Sequence, residues 1–125
     1  MPVTERTYQS VALEDPERSW ELHDGCLMEK PWMGNEHNDI MSYLGFCLIQ
    51  QLDPREYRVP INGSRLRRSA QSSSIPDVCV IPVSLFRQGL GRPGELEFYS
   101  EPLPLIVEIW SPSTGDYDVD ENIPE

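Results

Sequence analysis

The chain has 125 residues, a length that suits one domain with a modest core. Hydrophobic residues make up 38% and aromatic residues 9%, too rich for a disordered chain, and no apolar run approaches the roughly 20 residues of a membrane helix. Lys and Arg total 10 against 21 Asp and Glu, a formal net charge of -11, which counts against a general nucleic-acid binder because phosphate backbones select basic surfaces.

The opening MPVTERTYQS lacks the apolar core of a secretory signal, so a cytoplasmic protein is expected. Residues 1 to about 12 read as a flexible tail, with a single domain over 13–125. LEDPERSW reads as the start of a short helix, with Asp15 as N-cap and Pro16 at the first helical position. In SWELHDGCLMEKP the pair Asp24-Gly25 signals a tight hairpin turn between Trp20 to His23 and Cys26 to Lys30. Alternation places Trp20 and Leu22 on one face of that hairpin and Glu21 and His23 on the other.

GNEHNDIMSYLGFCLIQQLDP is the clearest helix, capped by Asn35 and stopped by Pro54. Ile40, Leu44, Cys47, Leu48 and Leu52 form its apolar stripe, and His37 lies on the same stripe, one turn earlier, pointing toward a sheet. EYRVPI and SRLRR read as strands, SAQSSSI as a polar connector, and PDVCVIPV as a further strand entered through Pro76. RQGLGRPGELEFYSEP is a long connector, and LPLIVEIW returns as a strand before SPST. Cys26, Cys47 and Cys79 are an odd number at wide spacing and read as buried thiols, neither a disulfide framework nor a zinc pair.

The acid is unevenly spread. REYRVPINGSRLRR carries five of the ten bases, so a local basic stripe or a solvated strand face fits it. Arg65 and Arg67 share one strand face, with Arg68 on the other, and Arg65 and Arg67 are the candidates for phosphate contact on DNA, so charge reversal there is expected to weaken DNA binding.

Glu108 raises a chemical question, because it stands in an apolar strand, where a carboxylate needs solvent, a basic partner or a metal. Asp77 stands at the start of the preceding long strand. If the two strands pair antiparallel, the start of one lies beside the end of the other, and the two carboxylates share one site. Like charges this close force one pKa upward unless a cation sits between them. A hard divalent ion such as Mg2+ resolves the conflict.

SIPDVCVIP, LPLIVEIWSPST and WELHDGCLME resemble the motifs of the Uma-two family, which is common in cyanobacteria and other bacteria and looks like a branch of the PD-(D/E)xK nuclease superfamily. The resemblance implies an α/β fold with a restriction-endonuclease-like core, a mixed β-sheet flanked by helices, and a metal-dependent endonuclease that hydrolyses DNA phosphodiester bonds. It implies that Asp77 and Glu108 hold Mg2+ (or Mn2+), with Glu21 as a third carboxylate. The superfamily's lysine usually stands two residues after the second acid, where this chain has Trp110. In the Uma-two family it looks to have moved to the helix after SPST, where the register reaches Asn122, a donor without charge. Lys30 is the chain's only lysine, and with His37 it is an accessory candidate.

The family's C-terminal elements, a Tyr-containing helix and a YW strand, have no match in the chain. Their loss would expose sheet edges and favour a homodimer. A catalytically degenerate module that keeps the fold for interaction or regulation is the second expectation.

Overall fold

The computed structural model describes residues 1–31, 33–88 and 95–109. Helix α1 (Glu5–Glu14) begins at Thr4, whose hydroxyl accepts the Thr7 N–H at 3.2 Å, and Glu5 suits the positive end of the helix dipole. The expected tail is therefore a helix, and Asp15 ends it as C-cap instead of starting a new one. The physical reason lies on both sides of Asp15: Pro16 disfavours helical backbone in the residue before it, while Tyr8 and Ala12 upstream supply a buried stripe at helical spacing.

Strands β1 (Trp20–His23) and β2 (Cys26–Glu29) form the expected hairpin, with Trp20 opposite Glu29 and His23 opposite Cys26. Asp24 and Gly25 both take positive φ, 49° and 79°, as the two-residue turn requires. A Cβ at Gly25 would also meet Pro2 Cβ at 2.5 Å, so backbone and space both demand glycine there.

Helix α2 (Asn35–Gln51) is capped at Gly34 without a side-chain hydrogen bond, so Asn35 is its first residue and not its cap. Its buried positions are His37, Met41 and Gly45 at four-residue spacing, with Leu44, Cys47 and Leu48 half-buried. The stripe is thus rotated from the expected one, and Ile40 is exposed with Tyr43, Phe46 and Ile49. Apolar residues occur nearly all round this helix, so periodicity alone does not single out the packed face.

The strands that follow are β3 (Tyr57–Arg58), β4 (Arg65–Ser69), β5 (Ser72–Ser74), β6 (Val78–Pro82), β7 (Phe98–Tyr99) and β8 (Leu105–Val107), with helix α3 (Val83–Gln88) after β6. They form two sheets, one ordered β2-β1-β5-β4-β7 and the other β3-β6-β8. The larger sheet is mixed, since β4 and β7 run parallel while its other pairs are antiparallel. The serine-rich segment expected as a connector is in part strand β5, which pairs with β1 and β4. Low propensity is overridden there by partners on both sides.

β6 is buried on both faces, as its continuous apolar run implies, and both α2 and α3 pack against it. Cys79 and Ile81 join Leu66 and Tyr99 in the core, with Leu85, Phe86 and Leu103 packed around them. Burial pushes the Cys79 thiol up to about 11. Cys26 is exposed and Cys47 half-buried, so only one of the three thiols is fully inside as expected.

Candidate active site

β6 and β8 pair antiparallel, with Val78 opposite Val107, Cys79 opposite Ile106 and Val80 opposite Leu105. Continuing that register by one residue sets Asp77 beside Glu108. The expectation that these two acids share one sheet end is met by the pairing itself.

Asp77 is 2% exposed and sits on the short link between β5 of the larger sheet and β6 of the smaller one. Its Oδ2 accepts the Ile109 N–H at 2.7 Å and the His37 Nε2–H at 3.2 Å, and its Oδ1 accepts from Lys30 Nζ at 2.9 Å. Burial pushes this carboxyl upward, but the Ile109 N–H, the Lys30 ammonium and His37 together outweigh burial and hold it below its ordinary value. Asp77 is therefore an ionised group fixed by three donors.

Glu108 is more open to solvent, and its carboxyl is raised. Partial burial is the largest cause, the Lys30 charge opposes it, and the charges of Asp77 and Glu21 add to it, as does a hydrogen bond with Asp77. At Glu108, burial and the acidic neighbours thus outweigh the Lys30 charge.

Glu21 comes from β1 and lines the same cleft, of about 410 Å³, together with Lys30, Arg68, Ser73 and Glu108. Both its oxygens are occupied, Oε2 by the Ile75 N–H at 2.6 Å and Oε1 by His23 Nε2 at 3.1 Å. Its first observable task is to hold the β5 to β6 link in place. Among the described residues no three His, Cys, Asp or Glu side chains converge as a ready metal cage. Two carboxylates plus waters are nevertheless a sufficient protein contribution for Mg2+, and Glu108 beside Asp77 at one sheet end supplies the hard oxygen donors that such an ion prefers. Asp77 and Glu108 fit a hard divalent ion; Glu21 lines the cleft with Glu108, whereas Asp77 lines the neighbouring pocket with His37, and Lys30 borders both.

Of the accessory residues, His37 lies inside as the helical pattern indicates, its side chain 2% exposed against Asp77. Because the Asp77 carboxylate accepts, Nε2 carries the hydrogen, which leaves buried Nδ1 without a partner among the described residues. Lys30 is drawn to Asp77 by the hairpin and also donates to Asn62 Oδ1 at 2.8 Å and the Ile75 carbonyl at 2.6 Å. Arg65 and Arg67 do share a face, but that face is covered by α1. Arg65 Nε donates to the Tyr8 hydroxyl at 3.0 Å, and Arg67 pairs with Glu5 and lies 4.2 Å from the centre of the Phe98 ring. Neither lines the cleft.

The arginine that does is Arg68, exposed on the opposite side of β4, and with it the buried Ser73, whose Oγ has no partner among the described residues. The sequence places Arg68 opposite Arg65 and Arg67 but gives neither it nor Ser73 a role. The alternation of side chains along SRLRR was the available signal for Arg68, whereas nothing marks Ser73 among its serine neighbours. Trp110 and Asn122 lie outside the described residues.

The family model for Uma2, described as "Putative restriction endonuclease", matches residues 6–125, and the chain belongs to that family. Among solved structures it is similar to a protein from Anabaena variabilis ATCC 29413, described as "a putative nuclease belonging to DUF820". The TM-score is 0.68 at 22% sequence identity, over 98% of this chain and 66% of that one, so the chain spans just under two thirds of that protein's length. At this identity the likeness shows the fold alone, the α/β architecture of a mixed β-sheet flanked by helices expected from the sequence. No curated protein matches the chain. Among the described residues no helix is long and apolar enough to cross a membrane.

Proposed function

We propose that the chain is a metal-dependent endonuclease that hydrolyses phosphodiester bonds of DNA in the cleft bounded by Glu21, Lys30, Arg68, Ser73 and Glu108. The observation that carries this reading is the meeting of Asp77 and Glu108 at one sheet end, with Glu108 raised by burial and by its acidic neighbours. Two carboxylates in that state are a receptor for Mg2+ or Mn2+. When bound, such an ion supplies Lewis acidity toward a phosphate oxygen and activation of the attacking water.

The chain's own residues supply the rest. Asp77 is kept ionised by Ile109, Lys30 and His37, and the bonds from Ile109 and His37 to Oδ2 fix the direction of its carboxylate. Arg68 stands at the open side of the cleft, where a guanidinium contacts phosphate without reading a base. Ser73 offers an unpartnered hydroxyl from the cleft wall as a donor. Asn122 remains the family-register candidate for the displaced lysine, and losing a charged donor there lowers the rate by about 10²- to 10³-fold relative to a lysine-bearing relative.

A second reading, a catalytically degenerate module, draws support from one feature: Lys30 already neutralises Asp77. Calorimetric titration with Mn2+ on the wild type and on Asp77→Ala, with plasmid nicking on the same samples, separates the two. The nuclease reading expects binding and nicking in the wild type and neither in Asp77→Ala. Absence of both from the wild type leaves the interaction module.

A further inference from the structure

Lys30 follows directly on the β1–β2 hairpin and is the only lysine in the chain. Its side chain is 9% exposed, and its ammonium reaches Asp77 Oδ1 at 2.9 Å, Asn62 Oδ1 at 2.8 Å and the Ile75 carbonyl at 2.6 Å. An ammonium has three donors, so with these acceptors satisfied none is left for a substrate phosphate. Lys30 as placed is therefore not a lysine waiting for substrate. It is a cation held against one of the two carboxylates that would bind the metal, on the only oxygen of Asp77 not already engaged by Ile109 and His37.

We propose that Lys30 is the resident cation of Asp77, which a divalent ion displaces, so that this one side chain sets the metal concentration at which the cleft becomes competent. The inference rests on the metal-dependent reading above and adds its regulation. Placing the ion and the ammonium on the same oxygen would set three positive charges within one contact distance, so entry of the ion at Oδ1 and release of Lys30 are a single exchange. Lys30 also lines the cleft with Arg68, Ser73 and Glu108, so a released ammonium has a position facing the proposed phosphate path. The exchange thereby couples metal arrival to delivery of a positive group, in a chain that has Trp110 where the superfamily's motif carries lysine.

Because the lysine is unique, the wild-type protein reports on itself. Reductive methylation of Lys30, read by peptide mass spectrometry, is expected to be slow without metal and several-fold faster under saturating Mg2+. In parallel, calorimetry with Mn2+ on Lys30→Met is expected to give about tenfold tighter binding than the wild type, since a charge-assisted hydrogen bond no longer competes for the carboxylate.

Methylation unchanged by Mg2+ that calorimetry shows to be bound overturns the inference and leaves the metal reading standing. So does an Mn2+ affinity in Lys30→Met equal to or weaker than wild type. If neither the wild type nor Lys30→Met binds Mn2+, both fall. The methylation arm needs no variant, so a Lys30→Met chain that fails to fold still leaves the inference decided.

Discussion

Asp77 ties the stability of the fold to acid pH. Its carboxyl is held below the ordinary value, so the stability it contributes is fully present above that value, near 4, and is lost as pH falls through the lower, folded-state value. Asp77→Asn is accordingly expected to flatten the acid limb of stability, measured by urea unfolding between about pH 2 and pH 7. Glu108 works in the opposite sense: its raised carboxyl favours the protonated form, so metal affinity should decline as pH drops toward that value while the fold itself is not weakened by it. The adjacency of these two acids was legible in the sequence because it needs only two strands, their antiparallel sense and a residue at each end. The positions of Lys30 and Arg68 were not, because they depend on how the hairpin and β4 dock, and Lys30 is 47 residues from Asp77.

At the scale of elements, α1 is clasped to β4. The Tyr8 hydroxyl donates to the Trp20 carbonyl at 2.7 Å and accepts from Arg65, while Arg67 reaches Glu5 and Phe98. Tyr8→Phe leaves one donor and one acceptor without this partner and is expected to lower stability by about 1–3 kcal/mol, checked by urea unfolding. Charge reversal at Arg65 and Arg67, a test of DNA binding on sequence grounds, becomes a test of this clasp. The hairpin and α2 were readable from Asp24-Gly25 and from helical spacing, since both signals are local. α1 was misread because Asp15-Pro16 has the chemistry of a helix start and of a helix stop alike, and β5 was missed because three serines become a strand only through their neighbours in the sheet.

At the scale of the whole molecule, a net charge of -11 repels DNA at long range, so the proposed nuclease activity requires attraction from the cleft's own cations. Arg68→Glu is expected to weaken binding of a labelled duplex in Ca2+ and to reduce the slope of log affinity against log salt by about one, read by fluorescence anisotropy across a salt series. The partition into two sheets has a different consequence. Asp77 and Glu108 adjoin strands of the smaller sheet, whereas Glu21 and Lys30 arrive from the hairpin of the larger one, and the link from β5 to β6 is the thread between them. The amide proton of Ile75, on that thread and bonded to Glu21, is therefore expected to exchange with solvent ahead of the buried β6 amides that wait for global unfolding. The cleft is in this sense expected to open as a unit of its own, one that the chain can lose while its core remains folded.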